Sequence, residues 1–294
     1  MPFHLARSRA NLTLQLTVLD LFRSPRETFA LAVESDRLGY ARYWITEHQP
    51  QVGPLTVLPL LAARTKRIRV GTAGILTRYY APPRTALDFR FLEALYPGRI
   101  DAGLCGGGIP PELEADFHAA QGDESQARQV YLEKARLIAE YIRGERPDAV
   151  RRVERPPQLW IHGSGPNGAQ LAAQLSASFS YGLFLRGNMD SPEAVELYRE
   201  RFVQRPEAGA PRALIAVAGV CAATDAAAQE IVERHSNSFI IPGVVGSPER
   251  CVAELTSLAE RYGTTEVALM DVCSLLDERL ACYRLIAERL EIGA

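Results

Sequence analysis

The 294-residue sequence predicts an α/β protein folded as a single (β/α)8 barrel of the TIM type. Short apolar runs alternate with longer amphipathic runs, giving eight strands that are each followed by a helix. Residues 68–76 (IRVGTAGIL) are almost continuously apolar, as expected of a parallel strand covered on both faces. The length suits one barrel, which typically needs about 250 residues. An open, doubly wound sheet is the alternative architecture.

The eight predicted strands are short and rich in apolar and β-branched residues. They cover residues 12–20, 41–46, 68–76, 99–104, 158–162, 179–185, 212–222 and 266–271. The predicted helices are longer, and several begin at proline, which suits the first helical position. They cover residues 25–38, 55–64, 82–95, 126–143, 166–175, 192–202, 226–234, 248–262 and 277–290. Residues 106–122, 144–157 and 237–247 are predicted loops. Residues 1–11 are a predicted loose N-terminal extension of one domain that spans residues 1–294.

Composition excludes several classes of protein. A net charge of −2 argues against a nucleic-acid-coating protein, and no apolar run is long enough to span a membrane. The basic N-terminus is not followed by a signal-peptide pattern, so we expect no such leader. Five cysteines without a CxxC spacing argue against a disulfide framework or a zinc ribbon. The five histidines show no ligand spacing, and no metal site is predicted. We therefore expect a cytoplasmic protein with reduced thiols.

The turn after the fifth predicted strand is a candidate phosphate site. It reads Gly163-Ser164-Gly165, and a helix that includes Asn167 begins directly afterwards. Amide groups at a helix N-terminus attract anions, and glycine lets a phosphate approach the backbone. A tight turn with Ser164 as a simple helix cap explains the same residues.

Two further strand ends carry reactive side chains. Glu47 and His48 follow the second strand, where a general base or a hydrogen-bond donor would serve catalysis. Cys105 ends the fourth strand and precedes three glycines, of which Gly106 is the first. Glycines there would let a flat ligand approach the backbone. The structural alternatives are a loop histidine with satisfied hydrogen bonds and a cysteine that packs as a small apolar residue.

Five segments, in order along the chain, resemble motifs of the bacterial luciferase-like flavin monooxygenases, specifically the short subgroup that uses FMN. Residues 91–101 (FLEALYPGRID) resemble the family's LEALYPGRID signature, which is the longest match. The other matching segments are 43–48 (YWITEH), 65–71 (TKRIRVG), 161–164 (IHGS) and 245–249 (VGSPE).

This resemblance implies a luciferase-like barrel that binds reduced FMN delivered by a separate flavin reductase. Dioxygen then adds to the flavin, and a small organic or natural-product intermediate is oxidised. His48 falls on the family's catalytic histidine, beside Glu47, and Cys105 falls on a reactive cysteine near the flavin ring.

The resemblance also implies a set of cofactor-binding positions. Ser164 and Asn167 fall where the phosphate is held, and Thr72 and Gly74 lie along the ring. With the glycines already named, the predicted cofactor-binding residues are Thr72, Gly74, Cys105, Gly106, Gly163, Ser164, Gly165 and Asn167.

The family resemblance further implies a homodimer, formed through the helices that flank the second and third strands. Residues 55–61 with Phe89, Phe91 and Leu92 form the expected apolar face. The alternative is that these residues simply pack on the barrel.

Three features depart from the family pattern. Gln49 replaces the second histidine of the EHH motif, and no arginine occurs in the CGGG segment at 105–108, where relatives carry one for the phosphate. Arg78 and Arg186 are candidate substitutes. The stretch before Val245 is also short, which implies a more open substrate pocket or one completed by another subunit. Three alternatives stay open. The first is a deazaflavin-dependent hydride transferase, because relatives on this fold use that cofactor. The second is a non-catalytic flavin-binding or partner subunit of a heterodimer, which the missing arginine and the short stretch fit. The third is a cofactor-free hydrolase.

Overall fold

The computed structural model describes residues 13–47, 53–108, 126–146, 154–185, 190–206, 209–235 and 239–293. Ten parallel-paired strands occur in these ranges. They are β1 (Gln15–Asp20), β2 (Arg42–Ile45), β3 (Arg69–Thr72), β4 (Ile75–Leu76), β5 (Ile100–Cys105), β6 (Gln158–Gly163), β7 (Ser178–Gly182), β8 (Ala213–Cys221), β9 (Pro242–Gly246) and β10 (Glu266–Asp271). The predicted strands agree with eight of them within a few residues.

Nine helices are seen in the same ranges and lie where the sequence predicted them. They are α1 (Pro25–Leu38), α2 (Pro54–Arg64), α3 (Pro82–Leu95), α4 (Ala127–Arg143), α5 (Pro166–Gln174), α6 (Pro192–Glu200), α7 (Asp225–Glu233), α8 (Pro248–Arg261) and α9 (Leu276–Leu290). Six of them begin at proline, whose fixed φ suits the first turn. Ser24 caps α1 by accepting a hydrogen bond from the Glu27 amide.

The sheet closes into a barrel, which confirms the predicted fold. The strands follow the order β1-β2-β3-β5-β6-β7-β8, and β10 pairs with both β8 and β1. Eight parallel strands therefore surround one core, with helices between them. The open-sheet alternative is wrong because β10, at one end of the strand order, pairs with β8 as well as with β1 and so closes the sheet on itself.

Two local expectations need correction. The predicted strand 68–76 divides into β3 and β4 at Ala73 and Gly74, whose peptide bond is cis. Residues 237–247 are not purely a loop, because β9 pairs with the end of β8. Pro242 and the glycines of that segment are typical of loops, so the strand was not predicted. Its buried residue Val244 pairs with Gly219 of β8.

Buried polar side chains close the amino end of the barrel. Arg42 lies 2.6 Å from Glu266 and 3.1 Å from Asp101, and all three are buried. Above them, the Trp44 indole donates a 2.9 Å hydrogen bond to Asp101 and packs edge-on against Trp160. This filled layer closes the amino end, and a (β/α)8 barrel places its active site at the opposite end, at the carboxyl ends of the strands.

Candidate active site

A cavity of about 400 Å³ opens at the carboxyl ends of the barrel strands, and we call it the mouth cavity. It is lined by Leu19, Ala73, Cys105, Gly106, Gly107, His162, Gly163, Ser164, Ser180, Gly182, Phe184, Leu185 and Ala216. No Asp, Glu, Lys or Arg belongs to this described lining. The mouth cavity therefore suits an uncharged group that approaches the backbone closely at several glycines.

A second cavity, of about 500 Å³, lies beside the first, and we call it the arginine cavity. Its described lining is Arg78, Gly106, Gly108, Ala127, Arg128, Tyr131, Leu132, Asn167 and Gly168. Gly106 lines both cavities. A Cβ atom on residue 106 would lie 2.9 Å from the Tyr131 ring, so only glycine leaves this junction unobstructed.

The described lining of the arginine cavity combines several groups that favour anions. Arg128 donates a 2.8 Å hydrogen bond to Oδ1 of Asn167, the second residue of α5. Arg78 is buried, and its Nε has no hydrogen-bond partner in the described residues. Two guanidinium groups thus meet the positive end of a helix dipole, with no carboxylate in the described lining. Phosphate is the common biological anion that such donors bind.

Two arginines of this cavity, Arg78 and Arg128, are candidates to replace the arginine that the sequence lacks after the fourth strand. Arg78 is one of the two candidates from the sequence, while Arg186 lies outside the described residues. Arg128 was missed because it lies far along the chain from the end of β5 at Cys105. One signal pointed to it: a cation in the first turn of a helix opposes the helix dipole, unless an anion binds there.

Cys105 lies where the sequence placed it, at the end of β5 in the mouth cavity. Its sulfur contacts the carbonyl oxygens of Ile75 at 3.3 Å and Gly74 at 3.5 Å. Burial raises the pKa of the Cys105 thiol to about 11, so the group is a protonated donor at neutral pH.

Glu47 joins the end of β2 to the end of β4. One carboxylate oxygen accepts a 2.6 Å hydrogen bond from the Leu76 amide, and the other accepts one of 2.6 Å from the Tyr80 hydroxyl. Burial raises the pKa of Glu47, although both hydrogen bonds oppose that shift. The carboxyl group is thus an anchor beside the site. His48 lies outside the described residues, so its predicted role stays a prediction.

Thr72 and Gly74 lie on the strand segments next to β5. The Thr72 hydroxyl donates to the Gly103 carbonyl at 2.7 Å and accepts from its amide at 3.1 Å. This side chain is fully buried between strands and does not belong to the lining of either cavity. A Cβ atom on Gly74 would lie 2.8 Å from the Leu104 backbone, so glycine permits close packing there.

The turn after β6 lies between the two cavities. Gly163 and Ser164 line the mouth cavity, Gly165 precedes α5, and Asn167 lines the arginine cavity. The structure therefore brings the predicted turn residues, Cys105 and Gly106 to one place.

His162 is a site residue that the sequence argument quoted but did not select. Its ring lines the mouth cavity, and Nε2 lies 3.1 Å from the Thr72 carbonyl oxygen. Burial lowers the pKa of His162 to about 4, so the imidazole is neutral at physiological pH. Its position at the carboxyl end of a strand was the available signal.

An apolar rim borders the mouth cavity. Phe184 and Leu185 line the cavity, Leu185 forms a bridge with Ile240, and the Ile241 amide donates a 2.8 Å hydrogen bond to the Phe184 carbonyl. Phe239 is 74% exposed in this rim. The residues that the structure describes in this rim are therefore apolar.

Within the described ranges, no three His, Cys, Asp or Glu side chains converge to hold a metal ion. No helix in those ranges is long and apolar enough to cross a membrane.

The fold and the paired cavities define a TIM-type barrel with a ligand site at the carboxyl ends of its strands. Comparison with known proteins agrees with this class. The family model described as luciferase-like monooxygenase matches residues 2–264, so the chain belongs to the luciferase-like monooxygenase family. It is a flavin-dependent oxidoreductase that acts with dioxygen.

Similar proteins include N-acetyl-S-alkylcysteine monooxygenase of Bacillus subtilis, which is 28% identical. That alignment covers 81% of this chain and 75% of the relative. Among solved structures, apo-MsnO8 is 29% identical, with a TM-score of 0.83 over 95% of this chain and 99% of that one.

Two structures of lower identity share the fold and hold different cofactors. The oxygenating constituent of 3,6-diketocamphane monooxygenase of Pseudomonas putida, in complex with FMN, is 17% identical with a TM-score of 0.71. It covers 96% of this chain and 98% of that one. An F420-dependent secondary alcohol dehydrogenase, in complex with an F420-acetone adduct, is 13% identical with a TM-score of 0.71. It covers 95% of this chain and 99% of that one.

Proposed function

We propose that this protein is the oxygenating component of a two-component monooxygenase, and that it uses reduced FMN from a separate flavin reductase. The observation that carries the proposal is the junction of the two cavities at Gly106. One cavity is cationic and the other is uncharged, as a ligand with a phosphate at one end and a flat ring at the other requires. Their volumes lie in the range of known cofactor sites.

The phosphate end would be held by Arg78, Arg128 and Asn167, together with the first amides of α5. The buried Nε of Arg78 lacks a partner in the described residues, which supports a missing anion at this point. Unpartnered buried donors are uncommon in native proteins because their desolvation is costly. Ser164 lies on the path between the two cavities and offers a hydroxyl to the same ligand.

The ring end would lie in the mouth cavity beside Cys105. Reduced FMN supplies the electrons that activate dioxygen. The chain would contribute an environment without formal charge, glycines that admit the ring, and the uncharged Cys105 thiol, which is protonated at neutral pH. We retain Glu47 and His48 as proposed catalytic residues, with Glu47 fixing the strand ends and His48 following it in sequence. Thr72 and Gly74 would support the ring from behind.

The substrate would be a small organic molecule with substantial apolar surface. The apolar rim of Phe184, Leu185, Phe239 and Ile241 supports this, because a charged substrate would find no charged partner in the described lining of the mouth cavity. The rim and the cavity together allow hydrocarbon to be removed from water near the cofactor.

A homodimer is part of the proposal. Leu60, Phe91 and Leu95 are 47%, 62% and 53% exposed on α2 and α3. The expected face changes in detail, because Phe89 and Leu92 are buried against the barrel. An exposed apolar face of this kind is typical of an interface between subunits. We also propose that the chain forms one domain, acts in the cytoplasm, and needs neither nucleic acid nor a membrane.

The test is an anaerobic titration of the pure protein with reduced FMN, oxidised FMN and an oxidised deazaflavin in parallel, followed by mixing with dioxygen. We expect reduced FMN to bind most tightly, and the bound flavin to be reoxidised by dioxygen at a rate different from that of free flavin. Binding of the deazaflavin alone would favour the hydride-transfer alternative, for which an F420-dependent enzyme of the same fold gives some support. Absence of all binding would favour a non-catalytic partner subunit and contradict the proposal.

A further inference from the structure

His162 reaches across a neighbouring strand to make its hydrogen bond. It belongs to β6, its partner Thr72 belongs to β3, and Gly103 of β5 lies between them. A Cβ atom on residue 103 would lie 2.6 Å from the His162 Nε2 atom and 1.8 Å from the Thr72 oxygen. Only glycine at position 103 leaves room for this contact.

The contact fixes which ring nitrogen carries the proton. A backbone carbonyl oxygen can only accept a hydrogen bond, so Nε2 of His162 must be the protonated nitrogen. The Trp44 ring packs edge-on against the imidazole, with 5.1 Å between ring centroids, and restrains its rotation. His162 is therefore a neutral imidazole, held in one tautomer and one orientation.

The other nitrogen, Nδ1, carries a lone pair in this tautomer. It has no hydrogen-bond partner in the described part of the chain, and the half-buried ring lines the mouth cavity. Most of the cavity's other lining residues are aliphatic, aromatic or glycine. His162 thus gives an otherwise largely apolar floor a fixed hydrogen-bond acceptor.

We propose that Nδ1 of His162 is a recognition atom that accepts a hydrogen bond from an N–H group of the cofactor ring in the mouth cavity. The inference rests on the proposed function, since it concerns the ring of the flavin bound there. A flavin ring is largely apolar but carries N–H groups at its edge. A fixed acceptor attracts such an edge and disfavours ring orientations that present a lone pair to it.

The direct test is ¹⁵N NMR of protein labelled at its histidine side chains, titrated with oxidised FMN and, anaerobically, with reduced FMN. In the free protein we expect His162 to show one protonated and one unprotonated nitrogen. When FMN binds, the Nδ1 signal should move in the direction expected for a nitrogen that accepts a hydrogen bond. His162→Gln assigns the signal, and His235, which lines neither cavity, is the internal control.

A second measurement uses affinity. His162→Phe keeps an aromatic ring against Trp44 but removes both nitrogens, and we expect it to weaken FMN and riboflavin binding by the same factor, roughly fivefold to tenfold. Equal loss for both ligands places the lost hydrogen bond on the ring rather than on the phosphate. His235→Phe is the matched control and should leave both affinities unchanged.

The outcomes separate this inference from the proposed function. FMN binding with an unchanged His162 Nδ1 signal would overturn the inference and leave the proposed function standing. A free protein in which His162 carries its proton on Nδ1 would also overturn it, without any ligand. If neither redox form of FMN binds, the proposed function and the inference both fail.

Discussion

The Nη2 atom of Arg128 lies 2.8 Å from Oδ1 of Asn167, and this contact joins the first turns of α4 and α5. Two helix N-termini therefore converge on one cavity, with an arginine from one and an amide side chain from the other. Each dipole favours a negative charge at this point. The contact supplies an arginine to the proposed phosphate site, although no arginine follows β5 directly in the sequence.

Replacing Arg128 by alanine should weaken FMN binding without affecting riboflavin, which lacks the phosphate. A charge-assisted hydrogen bond to phosphate contributes enough to change Kd by about tenfold. Fluorescence titration with both ligands measures the difference. Arg136→Ala is the control, because Arg136 lies on the same helix and pairs with Glu140 on the surface. Equal weakening of FMN and riboflavin would argue against a phosphate site at Arg128.

Gly103→Ala should destabilise the protein severely. The added methyl group would lie 1.8 Å from the Thr72 carbonyl oxygen, which is backbone, and 2.6 Å from Nε2 of the His162 side chain. We expect a loss of several kcal/mol of unfolding free energy, or no folded protein. Urea unfolding measures it. Gly243→Ala, where a Cβ atom meets nothing within 4 Å, should change the stability little. Similar unfolding free energies for the two variants would show that β3 and β5 do not approach each other as closely at residue 103 as described.

Stability should fall in acid partly because of His162. Its pKa is lowered to about 4 by burial, from an ordinary value of 6.5, so the unfolded chain binds this proton at higher pH than the folded chain does. The contribution of neutral His162 to the unfolding free energy is complete above pH 6.5 and is lost as the pH falls toward 4. The loss is at most about 3 kcal/mol, because the ring is only half-buried. The unfolding free energy of the wild-type protein should therefore fall more over this pH interval than that of His162→Phe. Parallel pH curves for the two proteins would contradict the lowered pKa.

Cys105 should react slowly with alkylating reagents at neutral pH. Its pKa is raised to about 11 by burial, and the thiolate is the nucleophile. The alkylation rate, followed by mass spectrometry, should rise about tenfold for each pH unit between 7 and 10 and should fall when FMN is bound. The other four cysteines are buried and provide a control for unfolding. A rate that is already maximal at pH 8 would show an activated thiolate instead.

Charge placed on the α2–α3 face should dissociate the proposed dimer. Phe91→Asp and Leu95→Glu change exposed residues, so we expect monomers with nearly unchanged unfolding temperature. Sedimentation velocity measures the oligomeric state. Val203→Glu, at an exposed apolar residue outside this face, is the control. A wild-type protein that is monomeric at all concentrations would refute the dimer.

The sequence predicted the barrel well because periodicity and helix-start signals are local. Proline at the start of α1, α3 and α5 and the apolar run of β3 needed no tertiary information. The sequence failed where pairing decides the structure, as in β9, whose proline and glycines suggested a loop. Its eventual partner, the end of β8, could not be inferred from the local sequence.

The site was predicted only in part for a similar reason. Cys105 and the turn at 163–165 were recognisable because they directly follow strands. Arg128 lies far along the chain from the end of β5, and its proximity to Asn167 depends on how two helices meet. The constraint on His162 depends on Gly103 in another strand. These contacts join positions that are far apart in the sequence, so a single sequence gives little information about them.

The most direct test of the account is a crystal structure of the protein with bound FMN. The account predicts the phosphate against Arg128, Asn167 and the start of α5, with the ring beside Cys105 and His162. An ordered FMN whose phosphate lies away from Arg128, or whose ring lies outside the mouth cavity, would contradict it.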